Sequence, residues 1–334
     1  MIIPTYATLA DKANNFDSIN IENKTDLDNL IKDWTKKDNN KTIIFRGLAE
    51  AKYKLINSAQ RFWNGEELDR LGRSYQEFIQ TEIDKAKGFH NHLLEKFYAA
   101  FGHPAYDLSI LSFLQHYKAP TPLLDFTYNF DSALFFATDG LKHNPSLDID
   151  NYCSIYAIDI KEIPREFPSI IYHIQSSISQ IDNILIENKG KGINATNLLK
   201  NFESLQYKTF HGLKLFYLPG YTPAGIRFTL RSRPDFILVY NQHNLNIINQ
   251  KGLLVFNSDP THPLEDFFSG GYGTGFQSTF QLPKIKCWNI HKSLNEYIVR
   301  HLTENRPIPI DKEFMYPQEE FIASSAYKQF KNFK

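Results

Sequence analysis

The stretch ILSFLQHYKAPTPLLDFTYNFDSALFFAT, residues 110–138, restricts the folding of this chain more than any other. Apolar residues from Leu108 to Leu114 recur at helical spacing. The helix they predict stops at His116 and Tyr117, because Pro120 and Pro122 cannot donate and bar helical geometry from the residue before them. Leu123-Leu124-Asp125-Phe126-Thr127 then reads as a short buried strand, and a second apolar helix carries Ala133, Leu134, Phe136 and Ala137. His116, Asp125 and Thr127 fall where apolar segments stop. Polar groups in so apolar a stretch either satisfy nearby backbone or face a cleft.

The remaining chain supplies strands and helices in irregular alternation. Thr42 to Phe45 predicts a strand delivering Arg46-Gly47 at its tip, and residues 75–101 carry the longest helical pattern, weakened at Gly88. Further strands are predicted at Ser154–Ile158, Phe236–Tyr240, Leu253–Phe256 and Lys286–Ile290, with helices over 173–188, at Leu245–Asn249 and through His301. This order implies an α+β fold with a mixed central sheet and helices packed around it. Residues 1–24 read as a polar lead-in and 25–334 as a single domain, in which the Gly-, Asn- and Pro-rich stretch 189–225 forms a lid-like excursion. With 27 Phe and 18 Tyr, the core is expected to be aromatic.

Several classes are disfavoured at once. A net charge of +0 leaves no general polyanion binder. Arg227, Arg231 and Arg233 are the best local basic stretch, and a solvated strand edge accounts for them. Cys153 and Cys287 form neither a CxxC pair nor a zinc spacing, so a reduced, cytoplasmic setting is expected. No apolar run approaches the roughly 18 residues of a membrane span. The Gly270–Gly275 run is no dinucleotide fingerprint, since no strand enters it and no helix leaves it. His90-Asn91-His92 cannot all face one site on a helix, which argues against a nuclease cluster.

Phe45-Arg46-Gly47, the block from Gln115 to Thr127, and Ala133 to Ala137 together resemble the FRG domain family. The segment from Asn246 to Phe256 and the run Phe314-Met315-Tyr316-Pro317 look like later parts of that family's pattern, so the resemblance covers roughly residues 25–330. The chain departs from it at Lys118, where relatives usually have Gly, and at Pro122 and Asn246, where they have Arg. Members are bacterial and phage-associated, often encoded near mobile or defence genes.

The order of parts is also similar, more distantly, to ADP-ribosyltransferases of the arginine–serine–glutamate type. That resemblance implies NAD as substrate and no metal. Arg46, with Gly47 beside it, would hold a phosphate or ribose of NAD, and Thr127 would orient the nicotinamide ribose. His116 and Tyr117 would stack on or bond the cofactor, and Gln250 would stand in the place of the catalytic glutamate. A neutral amide stabilises a developing ribosyl cation far less than a carboxylate does. Either Asp125 or Glu265 supplies that charge, or the site binds without catalysing.

Structural accounts stand beside these roles. Arg46 could pair with a buried carboxylate such as Asp125, His116 could cap a helix, and Asp125 could tie its own turn together. Three functions follow. The first is an NAD-consuming ADP-ribosyltransferase or NAD glycohydrolase, with a protein or nucleic-acid acceptor, serving as a toxin or antiphage effector. The second is a non-catalytic module that binds a nucleotide, another small molecule or a partner protein. The third is a nucleic-acid processing enzyme. None of them involves a membrane, and the oligomeric state stays open.

Overall fold

The computed structural model describes residues 4–35, 42–100, 107–141, 146–159, 216–219, 245–257, 259–269, 283–304 and 306–318, with 105, 320, 322 and 324. The predicted helix over 173–188, the strand Phe236–Tyr240, the Gly270–Gly275 run, the three arginines and all but four residues of the 189–225 excursion lie outside them.

Seven strands form one mixed sheet: β1 (Phe16–Ile21), β2 (Ile43–Leu48), β3 (Leu123–Thr127), β4 (Tyr152–Asp159), β5 (Phe216–Pro219), β6 (Gly252–Phe256) and β7 (Ile285–His291). Their spatial order is β1-β7-β4-β2-β3-β6-β5. Among the described residues only the β1–β7 pair is parallel, and the fold is α+β.

Side chains alternate between the faces of the sheet. On one face Phe45, Ile155 and Trp288 pack against α2 (Lys24–Thr35), α6 (Phe130–Thr138) and α8 (Asn295–Thr303). Beside them, Leu123, Leu254 and Phe256 are covered by α3 (Ser58–Gly65), α4 (Tyr75–Ala100) and α5 (Asp107–His116). On the other face Ile44, Phe126, Tyr156 and Cys287 meet Tyr6, Leu55 and Leu264. Two short helices, α7 (Leu245–Asn249) and α9 (Lys312–Met315), lie beyond the strand ends, and α1 (Leu9–Ala13) precedes β1.

The expected polar lead-in is corrected here. Residues 9–13 and 16–21 build α1 and β1, and Lys12 is fully buried. Its ammonium donates to Ala51 O at 2.9 Å, Ser154 Oγ at 2.7 Å and Asn289 Oδ1 at 2.8 Å, which uses all three protons. Four of the six β1 residues are not buried, so the strand carries little apolar signal. A terminal strand of this kind is recognised only through its partner β7.

The double-proline block folds as its pattern predicts, with α5 ending at His116, β3 over Leu123–Thr127 and α6 from Phe130. Asn129 caps α6 by accepting from Ser132 N at 2.8 Å. Helix α4 is broken where Gly88 weakens it: His90, Asn91 and His92 all have positive φ.

The Phe45-Arg46-Gly47 tripeptide sits at the centre of the sheet. Phe45 packs edge-on against Trp34 and Phe130, with centroids 5.2 and 5.4 Å away. Gly47 lies under α6, where a Cβ would collide with the Ala133 carbonyl oxygen and stand 2.6 Å from the Ala137 nitrogen. The helix backbone therefore rests on the strand backbone, and any side chain at position 47 would push α6 outward. Gly47→Ala is expected to destabilise the fold by about 3 kcal/mol or more. Urea denaturation checks this, and a midpoint unchanged from wild type would show that α6 is free to move.

Candidate functional site

Strand β2 pairs with β4 at six positions and β3 pairs with β6 at five. Between β2 and β3 a single pair forms, Phe45 opposite Thr127. Beyond it the ladder is interrupted, which leaves a seam between the two strands. Arg46 is the first β2 residue past that pair. It shares a face with its register partner Tyr156, and its guanidinium lies 6.0 Å from the Phe126 ring. One Nη donates to the Asp125 main-chain carbonyl at 2.5 Å. Its Nε is buried and has no hydrogen-bond partner. Burial pushes the guanidinium below its ordinary value, and the nearby Asp125 carboxylate pushes it back up.

Asp125 is the exposed residue in the middle of an otherwise buried strand. Its carboxylate accepts from Gln115 Nε2 at 2.8 Å, while Gln115 Oε1 accepts from the Thr121 hydroxyl. Arg46 thus meets the main chain of Asp125, and the carboxylate turns toward α5. The Asp125 charge also raises the proton affinity of Arg61, His116 and Tyr316. Four residues from four different segments therefore lie within the field of one carboxylate. For His116 burial is the larger effect and lowers its pKa, which favours neutral imidazole at pH 7. Its ring meets exposed Tyr117 edge-on at 4.8 Å. Tyr316 is raised to about 12 by burial, then by Asp139 and Asp125, and its ring contacts Phe135 and Phe136.

Thr127 and Gln250 are placed differently. Thr127 is buried; its hydroxyl donates to the Gln250 carbonyl at 2.6 Å and accepts from Asn129 N at 2.9 Å. The Gln250 amide donates to Met315 O at 2.8 Å, beside Asn249 donating to Phe314 O at 2.8 Å. These groups tie α7 to β3 and to the Phe314–Pro317 run, and their polar atoms are engaged with main chain. Gly47 is filled by α6. Glu265 is fully buried, accepting from Tyr6 Oη at 2.6 Å and Leu55 N at 3.1 Å. Arg46 and Asp125 thus meet across the seam through the Asp125 carbonyl, while the Asp125 carboxylate is turned toward α5, the helix that ends at His116.

Arg61, Gln115 and Tyr316 were not singled out from the sequence. Gln115 and Tyr316 fall inside the motif runs, whereas Arg61 lies in α3, which no motif marks. Among the described residues, no group of three His, Cys, Asp or Glu could hold a metal ion, and no helix is long and apolar enough to cross a membrane.

The fold and the seam define an α+β domain built on one split sheet, with an arginine at the split. Residues 41–145, from β2 to just past α6, match the model of the FRG domain, and the chain carries that domain. The match stops short of the Asn246–Phe256 segment and of the C-terminal run. No curated protein and no solved structure matches the chain.

The backbone at Lys118 is one that suits glycine. Lys118 follows α5 with φ of 62°, in the left-handed region, and Ala119 N donates back to Leu114 O at 3.0 Å. This is a helix-terminating position that glycine occupies without strain. Lys118→Gly is expected to stabilise the fold by about 1 kcal/mol, measured as a raised denaturation midpoint; a lowered midpoint would contradict the assignment.

Glu265 provides a pH test. Burial lifts its carboxyl from 4.5 to about 7. Between those values the folded chain holds a proton that the unfolded chain releases, so this group's contribution is complete below pH 4.5 and is lost as pH rises through 7. Glu265→Gln is expected to remove a loss on the order of 3 kcal/mol. Stability of the two proteins measured from pH 4 to 8 checks it; parallel curves would refute it.

Proposed function

We propose that the β2/β3 seam binds a nucleotide and that NAD is its substrate, consumed by transfer or hydrolysis at the nicotinamide ribose. The supporting observation is the Arg46 guanidinium, bonded to the Asp125 main-chain carbonyl with its Nε unpartnered, on the neighbour of a strand whose Asp125 side chain is exposed. Arg46 presents a planar fork to a phosphate. Asp125 takes the part that Gln250 cannot: its negative charge faces the cation that grows on the ribose as the glycosidic bond breaks. Nicotinamide leaves with the bonding electrons. Water or an acceptor nucleophile closes on the ribose carbon and sheds a proton, for which neutral His116 is the nearby base. Glu265, the other carboxylate weighed for this role, is enclosed by its bonds to Tyr6 and Leu55. In biological terms this reading describes a cytoplasmic toxin or antiphage effector.

A second reading is a recognition module that binds the nucleotide without turning it over. The commitment of the Thr127 hydroxyl and Gln250 amide to main-chain partners favours it. Nicotinamide release measured by chromatography, with protein and nucleic-acid acceptors present, separates the two. Under the first reading Arg46→Ala and Asp125→Asn each lower release by about 100-fold or more while circular dichroism stays native. Nucleotide binding without any nicotinamide release would establish the second.

A further inference from the structure

We propose that β1 is a docking edge for a second copy of this chain. Two β1 strands pair antiparallel about a twofold axis at Ile19, and the two sheets become one. β1 is the outermost strand on its side, with β7 as its one partner among the described residues. β7 and β4 stand between it and β2, so this edge is separate from the β2/β3 seam. In a parallel pair, alternate residues turn both main-chain groups toward the neighbouring strand and the others turn theirs outward. Among the described residues no main-chain group bonds to the outer side of Phe16–Ile21. Such an unpaired row is a template for another strand, and edges are commonly blunted by proline, lysine or a bulge. Phe16–Ile21 contains neither proline nor lysine, and its register with β7 runs without a bulge. Asp17, Ile19 and Asn20 are exposed along it, Ile19 by 54%.

The residues on the strand select a second copy and its register. Phe16 belongs to the core on one face of the sheet and Ile21 to the core on the other, so Asp17, Ile19 and Ile21 share a face. Opposed residues in a continuous sheet point to the same face, so the axis passes through a residue and not between two. An axis at Asp17 would set two carboxylates against each other, which is destabilising. At Ser18 it would set the Asp17 carboxylate against Ile19. At Asn20 it would set Ile19 against Ile21, which is already buried. At Ile19 it sets the exposed isoleucine against its own copy, beside Trp288 of each chain, and Ser18 against Asn20. The same register carries the stretch after the second copy's β1 past an open groove at the start of β1. Phe16, Asp17 and Ser18 line that groove together with exposed Lys284 and Lys286. In the stretch that meets those lysines, Glu22, Asp26 and Asp28 outnumber Lys24. An apolar pair at the axis and opposite charges on either side of it make the edge complementary to itself.

Sedimentation velocity of the full chain tests this. At concentrations up to about 100 µM the chain is expected to sediment as a dimer, at twice its mass of 38.8 kDa. Ile19→Lys brings like charges together at the axis and is expected to sediment as a monomer with a native circular dichroism spectrum. The chain's two cysteines, Cys153 and Cys287, are both buried, so a cysteine placed on β1 reports its own contacts. Ile19→Cys is expected to form a covalent dimer under mild oxidation with diamide. Asp17→Cys, whose two copies stand about 13 Å apart along the strands in this register, is expected to form about ten-fold less. Crosslinking carries the test if the Lys variant melts before sedimentation. A wild-type monomer at the highest concentration, a dimer unchanged in folded Ile19→Lys, or equal crosslinking of the two cysteine variants would overturn the proposal. A monomer that takes up an added foreign peptide along β1 would replace the second copy as occupant and overturn it too.

Discussion

The close approach of α6 to β2 is the constraint from which the centre of this structure follows. Gly47 lets the helix backbone lie directly on the strand, and Phe45 fills the neighbouring space between Trp34 and Phe130. Protein interiors are packed too tightly to absorb an extra side chain at such a contact. With α6 seated there, the segment entering it, Thr127-Tyr128-Asn129, has one route out of β3. Thr127 and Asn129 both bond along that route. The single β2–β3 pair falls at its start, and the seam opens beyond it.

Electrostatics at the seam turn on desolvation. A half-buried guanidinium keeps its charge only where carbonyls or carboxylates replace lost water. Arg46 has the Asp125 carbonyl left uncovered where the β2–β3 ladder is interrupted. Asp125 in turn keeps its carboxylate accessible, because Gln115 engages one oxygen and no cation closes on it among the described residues. Two buried polar groups on the face that Arg46 shares with Tyr156 have the other solution. Lys12 is saturated by three acceptors, and Glu265 is satisfied by Tyr6 and Leu55. Such closed networks fix α1 and the 264–267 turn against the sheet. Their polar atoms are committed within the fold.

Local pattern was sufficient wherever a short segment carries its own cause. Two prolines end α5, alternation and aromatic content mark β2, and apolar runs mark β3, α6 and β6. The Asp125 position also declared itself as a polar residue set into a buried strand. Pattern failed where the cause lies in another segment. Strand β1 is polar because it sits at the sheet edge beside β7, and α3 is held by β3 as much as by its own sequence. The α4 break at His90–His92 agrees with Gly88 weakening that helix, but the positive φ values fall on neighbouring residues.

Residue order alone fixed the tripeptide, the elbow and the candidate charges, since proline geometry, apolar spacing and polar interruption act over a few residues. Only three-dimensional packing could sort those charges by availability. Whether a hydroxyl, amide or carboxylate is free depends on carbonyls and donors brought from more than 60 residues away, as between Gln250 and Met315 or Glu265 and Tyr6. That sorting joined Arg46 to the Asp125 carbonyl where β2 and β3 part, and committed Thr127, Gln250 and Glu265 to bonds inside the fold.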